Sequence, residues 1–106
     1  LTPIGNTAQE FWKSLVAGTS GAAPITRFDT TLFKTKFACE IKGYDPLQHF
    51  EKSEVRKMDA YAQYAMIAAD EALKDAGLDL EKVNKDRVGV IWGSGNGGFF
   101  TFQEQV

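Results

Sequence analysis

Arg87-Val88-Gly89-Val90-Ile91-Trp92, running straight into Gly93-Ser94-Gly95-Asn96-Gly97-Gly98, is the stretch on which the fold reading turns. Val88, Val90 and Trp92 alternate with Gly89 and Ile91, so both faces are apolar or small, as in a strand covered on both sides. Four of the next six residues are glycine, and Phe99, Phe100 and Phe102 follow at once. A strand that empties into a glycine-rich turn brings backbone close to another group, because a Cβ would be in the way. A phosphate, an acyl chain and a second stretch of backbone all fit that description. A helix, a connection, a strand, a glycine turn and a further helix are the grammar of an α/β protein.

Working backwards, residues 78–86 read as a polar connection and residues 58–76 as the strongest helix, with Asp59 near its start and Gly77 just past its end. Ala60, Tyr61, Ala62, Tyr64, Ala65, Met66, Ile67, Ala68 and Ala69 wrap around most of its cylinder. A helix apolar nearly all round is buried on more than one side. Polar residues return only in the last two turns, where Asp70 and Lys74 can pair at i, i+4. Such a helix needs more cover than 106 residues supply.

Further back, residues 46–57 read as a short helix with Pro46 in its first turn and Leu47, Phe50 and Val55 facing inward. Residues 37–41 suggest a short strand with Phe37, Cys39 and Ile41 on one side; Ser20, Gly21 and Pro24 mark loop. Near the start, Thr7 and Glu10 form a capping box. Ala8, Phe11, Trp12, Leu15 and Val16 fall on one helical face, and Gly18 suits the left-handed position that ends a helix. The expectation is an amphipathic helix lying on a core.

Composition excludes several classes. Apolar content of 43% and charged content of 25% are those of an ordinary globular domain. A net charge of -2 gives no general case for binding nucleic acid or an anionic membrane, and no apolar run approaches the ~20 residues of a membrane span. One cysteine builds neither a disulfide framework nor a thiolate metal set, and it fits a reducing, cytoplasmic setting. The chain opens on Leu1-Thr2-Pro3-Ile4-Gly5 without an initiator Met and closes inside a helical pattern at Phe102-Gln103-Glu104-Gln105-Val106. It reads as a piece of a longer protein, truncated at both ends.

The glycine run satisfies G-x-G-x-x-G, the dinucleotide fingerprint. That fingerprint belongs in the first strand–helix unit, whereas nearly ninety residues precede it here. The acidic residue expected about twenty positions on would fall beyond Val106, and Phe99 and Phe100 are bulky for a helix packed under a cofactor. A dinucleotide-binding module is therefore the weaker alternative, and a tight packing turn is the bland one.

A family resemblance decides among these readings. Leu1-Thr2-Pro3-Ile4-Gly5-Asn6, then Ile25-Thr26-Arg27-Phe28-Asp29, then Arg56-Lys57-Met58-Asp59, then Arg87 to Gly95 with Gly97-Gly98, resemble in kind and order the beta-ketoacyl-acyl-carrier-protein synthases, above all the elongating synthase II class. The resemblance implies the thiolase-like fold, an α/β architecture of two similar halves in α/β/α/β/α layers, present here as an incomplete N-terminal half. Residues 1–106 would be the N-terminal segment of a condensing-enzyme domain. It implies a decarboxylative Claisen condensation of an acyl group with a malonyl group in fatty acid elongation. It also implies acyl carrier protein as partner, a homodimer and no cofactor or metal. A non-catalytic relative of the chain-length-factor type is the alternative.

Residue by residue, the resemblance assigns no catalytic group to this chain, since the family's nucleophile lies downstream. Cys39 sits in the expected strand and is read as a small buried apolar residue; His49, the single histidine, is read as a surface or half-buried one. Gly95, Asn96 and Gly97 would line the acyl-chain pocket near the subunit interface. Asn96 departs from the apolar residue, commonly isoleucine, found there in relatives. Lys52, Arg56 and Lys57 would help dock the acidic carrier protein, with Glu51 and Glu54 partly neutralising them.

Overall fold

Thr7 sets the start of the first helix, α1 (Ala8–Val16), in the computed structural model, which describes residues 1–106 with the side chain of Phe100 excepted. Thr7 Oγ1 accepts from the Glu10 N–H at 3.1 Å. The Glu10 carboxylate reaches back to accept from the Asn6 N–H at 2.9 Å, so the first turn and the chain entering it are tied together. At the far end Gly18 adopts φ +67°, its N–H donates to Leu15 O at 3.0 Å, and the Thr19 N–H donates to Ser14 O at 2.9 Å. This is the pair of bonds that closes a helix on a left-handed glycine. The apolar face is a different matter: Phe11 is half-buried, but Trp12 is 64% exposed and Leu15 and Val16 are exposed too.

The chain divides into two units, Leu1–Tyr44 and Asp45–Val106. In the first, β1 (Ala23–Pro24) and β2 (Phe37–Ala38) pair antiparallel, with Ala23 opposite Ala38 and Pro24 opposite Phe37. Pro24, expected in a loop, is tolerated because a two-stranded ribbon has only edges. The strand expected over residues 37–41 stops after Ala38. Beyond it the Glu40 carboxylate, rather than a ladder carbonyl, accepts from the Thr26 N–H at 3.2 Å and from Thr26 Oγ1 at 2.7 Å. Cys39 is exposed, which corrects its reading as a buried residue: the ladder has ended and nothing covers the side chain.

In the second unit the single helix expected over residues 46–57 is two shorter pieces. Asp45 accepts from the Leu47 N–H at 3.0 Å and starts a 3₁₀ turn at Pro46–Gln48. Glu51, extended at φ −68° and ψ 150°, then forms a capping box with Glu54 and starts α2 (Lys52–Val55). The second start signal breaks the first helix. Leu47 is exposed as a result, while Phe50 and Val55 are half-buried.

α3 (Ala60–Asp75) follows the expected bounds and ends on Gly77 at φ +59°, whose N–H donates to Lys74 O at 3.1 Å. The Asp70–Lys74 pair forms at 2.6 Å. The expected burial on several sides does not. Gln63 is the one buried residue, 5% exposed, with Nε2 donating to Met58 O at 2.9 Å, while Tyr61 and Met66 are exposed.

The buried strand expected over residues 87–92 is absent. Asn84 caps a 3₁₀ turn at Lys85–Arg87, and Val88 is extended at φ −106° and ψ 128°. No ladder joins the residues that follow: Val90 and Trp92 are exposed, and Ile91 is 99% exposed. Strands exist only through their neighbours, and β1 and β2, the strands among the described residues, pair with each other. The helix expected after the glycines is α4 (Phe99–Gln105).

No apolar residue among those described is buried, and the accessible area is 8764 Å². Two separate, well-packed bodies of the same total mass would expose only about 7,100 Å². The helices are specified locally by caps and glycine stops. No surface among the described residues buries their apolar faces.

Candidate functional site

The glycine run and the start of α3 meet at Asp59. Asp59 occupies the N-cap position of α3, with extended backbone at φ −64° and ψ 156°, yet its carboxylate makes no capping bond to its own helix. Using it there would contribute about 1 kcal/mol. Instead the carboxylate accepts from the Thr101 hydroxyl, 42 residues along the chain in the first turn of α4. A Cβ on Gly98, the residue preceding α4, would overlap that carboxylate, so only glycine allows the approach.

The other glycines are not equivalent to Gly98. Gly97 adopts φ +63° and lies against the Tyr61 ring, whose Cε1 is 3.8 Å from where a Cβ would stand. Its N–H donates to Ser94 Oγ at 3.2 Å, which closes the turn. Nothing lies within 4 Å of a Cβ built on Gly93 or Gly95. Asn96, between Gly95 and Gly97, is exposed. The close approach that a glycine run implies is thus real at one position, and its partner is a carboxylate.

That partner argues against the nucleotide reading on physical grounds. A pyrophosphate would sit at the first turn of the helix behind the glycines, where N–H groups favour an anion. Here the protein's own carboxylate already lies against Gly98 and Thr101, and it would repel a second anion.

The three basic residues lie together at one end of the same region. Lys52 opens α2, Arg56 is its C-cap and Lys57 follows; all three side chains are exposed. The ion pairs among the described residues are Lys74–Asp70, Lys82–Asp79 and Lys85–Glu81, so none engages them. Glu54, expected to neutralise them in part, accepts from the Glu51 N–H at 3.0 Å. A shallow cavity of about 200 Å³, lined by Val55, Arg56, Lys57, Met58, Asp59 and Thr101, joins this basic corner to the Asp59–Thr101 link.

His49 is exposed, as expected, and borders a second cavity of about 240 Å³ with Phe50, Met66, Ile67 and Asp70. No group of three or more His, Cys, Asp or Glu residues suited to a metal ion occurs among the described residues. Among the described residues, no helix is long and apolar enough to cross a membrane. In the first unit, Thr31 and Thr26 hold two carboxylates below their ordinary range. Asp29 is lowered chiefly by the Thr31 hydroxyl, and Glu40 chiefly by the Thr26 hydroxyl.

The Asp59–Thr101 link is the feature that sequence reasoning missed. Asp59 reads from the sequence only as a helix start, and no periodicity pairs residues 42 apart. The one available signal is Gly98, a glycine that directly precedes a helix and has φ −82°, a conformation any residue can adopt.

Comparisons with known proteins give this geometry a context. The family model described as "Beta-ketoacyl synthase, N-terminal domain" matches residues 1–106. The 3-oxoacyl-[acyl-carrier-protein] synthase 2 of Vibrio cholerae serotype O1 is 48% identical over 98 residues, covering 92% of this chain and 24% of that protein. Proteins of the same name are similar in Staphylococcus aureus (44% identical, 97% of this chain and 26% of that one) and in Synechocystis (38%, 99% and 25%). Among solved structures, the ishigamide ketosynthase/chain length factor superposes with a TM-score of 0.65 at 38% identity, over 78% of this chain and 21% of that one. This chain spans about a quarter of the length of the curated relatives it matches.

Proposed function

From membership of the beta-ketoacyl synthase N-terminal domain family, to which this chain belongs, we propose that it is part of a 3-oxoacyl-acyl-carrier-protein synthase of fatty acid elongation. Its fold is part of the thiolase-like α/β fold of that family. The observation that carries the reading is identity of 38–48% to synthases of that name over 92–99% of the chain. In the proposed reaction an acyl group passes from its carrier protein to a cysteine of the enzyme, forming a thioester. The malonyl group on a second carrier protein then loses carbon dioxide, and the carbanion that remains attacks the thioester carbonyl. The C–S bond breaks, so that the cysteine thiolate leaves and the 3-oxoacyl group stays on the second carrier protein.

Within that enzyme we assign this chain no catalytic group. Cys39 is exposed and lies in the two-stranded ribbon unit, with no activating helix start in its sequence context. The chain's contribution is binding. Gly95, Asn96 and Gly97 form a wall of the acyl pocket. This is supported by the open space at Gly95, by the exposure of Asn96, and by the contact of Gly97 with the Tyr61 ring. Lys52, Arg56 and Lys57 receive the acidic carrier protein, a role supported by their exposure and by the lack of ion pairs that would occupy them. Such rim charges act chiefly on association rate and salt dependence. The unburied apolar surface of α1 and α3 fits an enzyme completed by further chain and by a second copy, working in the cytoplasm.

The similarity to the ishigamide ketosynthase/chain length factor favours one second reading, a non-catalytic partner subunit. One experiment separates the two. The full-length protein is incubated with acyl- and malonyl-carrier protein, and both 3-oxoacyl product and carbon dioxide are measured. Equimolar formation of both supports the synthase; absence of acyl transfer to the protein and of condensation product overturns it.

A further inference from the structure

We propose that Asp59 and Thr101 are positioning residues for chain-length selection: their link fixes the glycine loop that carries Asn96. The claim rests on the reading of that loop as an acyl-pocket wall. Three observations carry it. The Asp59 carboxylate sits at the N-cap position of α3 yet leaves its own helix uncapped and accepts from Thr101 Oγ1 instead. A residue that forgoes a favourable local bond for a distant one marks a place where local preference yields to another requirement. Gly98 lets the loop backbone approach the carboxylate so closely that any Cβ would overlap it. Next to this anchor, Ser94 Oγ accepts from the Gly97 N–H and closes the turn, while Gly95 beside Asn96 is open.

The geometry gives the loop a defined height above α3. Gly98 lies against Asp59 and Gly97 against Tyr61, the second residue of α3, so Asn96 sits beside two contacts at the start of that helix. Asp59 touches no reacting group and no acyl chain in this scheme; it acts through Thr101 and Gly98. Loss of the Thr101 hydroxyl frees the loop to shift relative to α3, which changes the room available to the chain end without touching the chemistry. The step affected is selection among acyl chains.

The test uses the full-length enzyme and the ratio of kcat/KM for a long over a short acyl-carrier protein. Thr101→Val keeps the shape and removes the donor; Thr101→Ala removes it with less bulk; Thr101→Ser restores it. Thr101→Val or Thr101→Ala is expected to change the ratio by about threefold or more, with Thr101→Ser returning it to the parent value. A parent ratio in either folded variant, whether or not Tm falls, overturns the claim, because a merely structural bond would lower Tm and leave selection alone. Asn96→Ile is measured in parallel. If Asn96→Ile shifts the ratio and the Thr101 variants do not, the positioning claim fails and the pocket reading stands. If neither shifts it, the pocket reading fails and takes the positioning claim with it.

Discussion

Isolating residues 1–106 is the perturbation for which the structure makes the largest prediction. The chain exposes 8764 Å², and no described apolar side chain is buried. Two well-packed bodies of the same total mass would expose about 7,100 Å², so the excess is roughly 1,700 Å² whatever the arrangement of the two units. With a little over half of that area apolar, at about 25 cal/mol per Å², the missing burial is on the order of 20 kcal/mol. Net stabilities of domains are about 5–15 kcal/mol, so the shortfall exceeds anything the helix caps return. The isolated chain is expected to keep much of its helical far-ultraviolet signal while lacking fixed packing around Trp12 and Trp92. Near-ultraviolet circular dichroism should be weak, the hydrophobic dye ANS should bind, and urea unfolding should be broad, with probes that do not coincide. A monodisperse monomer showing one sharp transition, coincident by both spectral regions and without dye binding, would refute the reasoning.

Three further outcomes follow from the assigned residues, all in the full-length enzyme. Asn96→Ile is expected to raise kcat/KM for long acyl chains by about tenfold relative to short ones, because an alkyl wall replaces an amide that must be desolvated; an unchanged chain-length profile counts against the pocket. Reversing charge at both Arg56 and Lys57 is expected to weaken carrier-protein binding about tenfold at low ionic strength and to have little effect in about 0.5 M salt; calorimetric titration at two salt concentrations checks it. Asp29 and Glu40 are held below their ordinary values of 3.8 and 4.5 by Thr31 and Thr26, so the ionised form is favoured when folded. Their support of the first unit is therefore complete above those values and fades as pH falls through the lowered ones, which is read from the amide shifts of Thr26 and Thr31; midpoints at or above the ordinary values would contradict the hydrogen bonds.

What was legible in the sequence is what depends on neighbours a few residues away. Thr7, Gly18, Asp59 and Gly77 mark the limits of α1 and α3, because caps and left-handed glycines act within one turn. The Asp70–Lys74 pair is of the same kind. The boundary inside residues 46–57 went unread because Glu51 and Glu54 offer a second capping box just where the apolar spacing suggested continuity. The strand at residues 87–92 went wrong for the opposite reason. Its pattern describes the environment of a strand between sheets and helices, and no described element covers this segment, so Ile91 stands in solvent. The family landmarks were legible as order along the chain, which needs no packing. The Asp59–Thr101 link joins two positions 42 residues apart, and no local pattern predicts that.

The glycine run shows why composition alone could not assign the site. Its glycines serve different physical ends: Gly98 yields to a carboxylate, Gly97 supplies a left-handed turn, and Gly93 and Gly95 leave open space where a Cβ would meet nothing. A phosphate loop would turn its N–H groups toward one empty anion site. This loop instead has its helix end occupied by Asp59 and its open positions on either side of Ser94. An open, side-chain-poor stretch anchored at its helix end is a surface awaiting cover by an apolar or backbone group. That requirement joins the exposed Ile91 and Trp92 just before it, which await the same cover. The loop and the extended segment are then a single feature, a continuous unpartnered wall, and Asp59 sets the position of its far end.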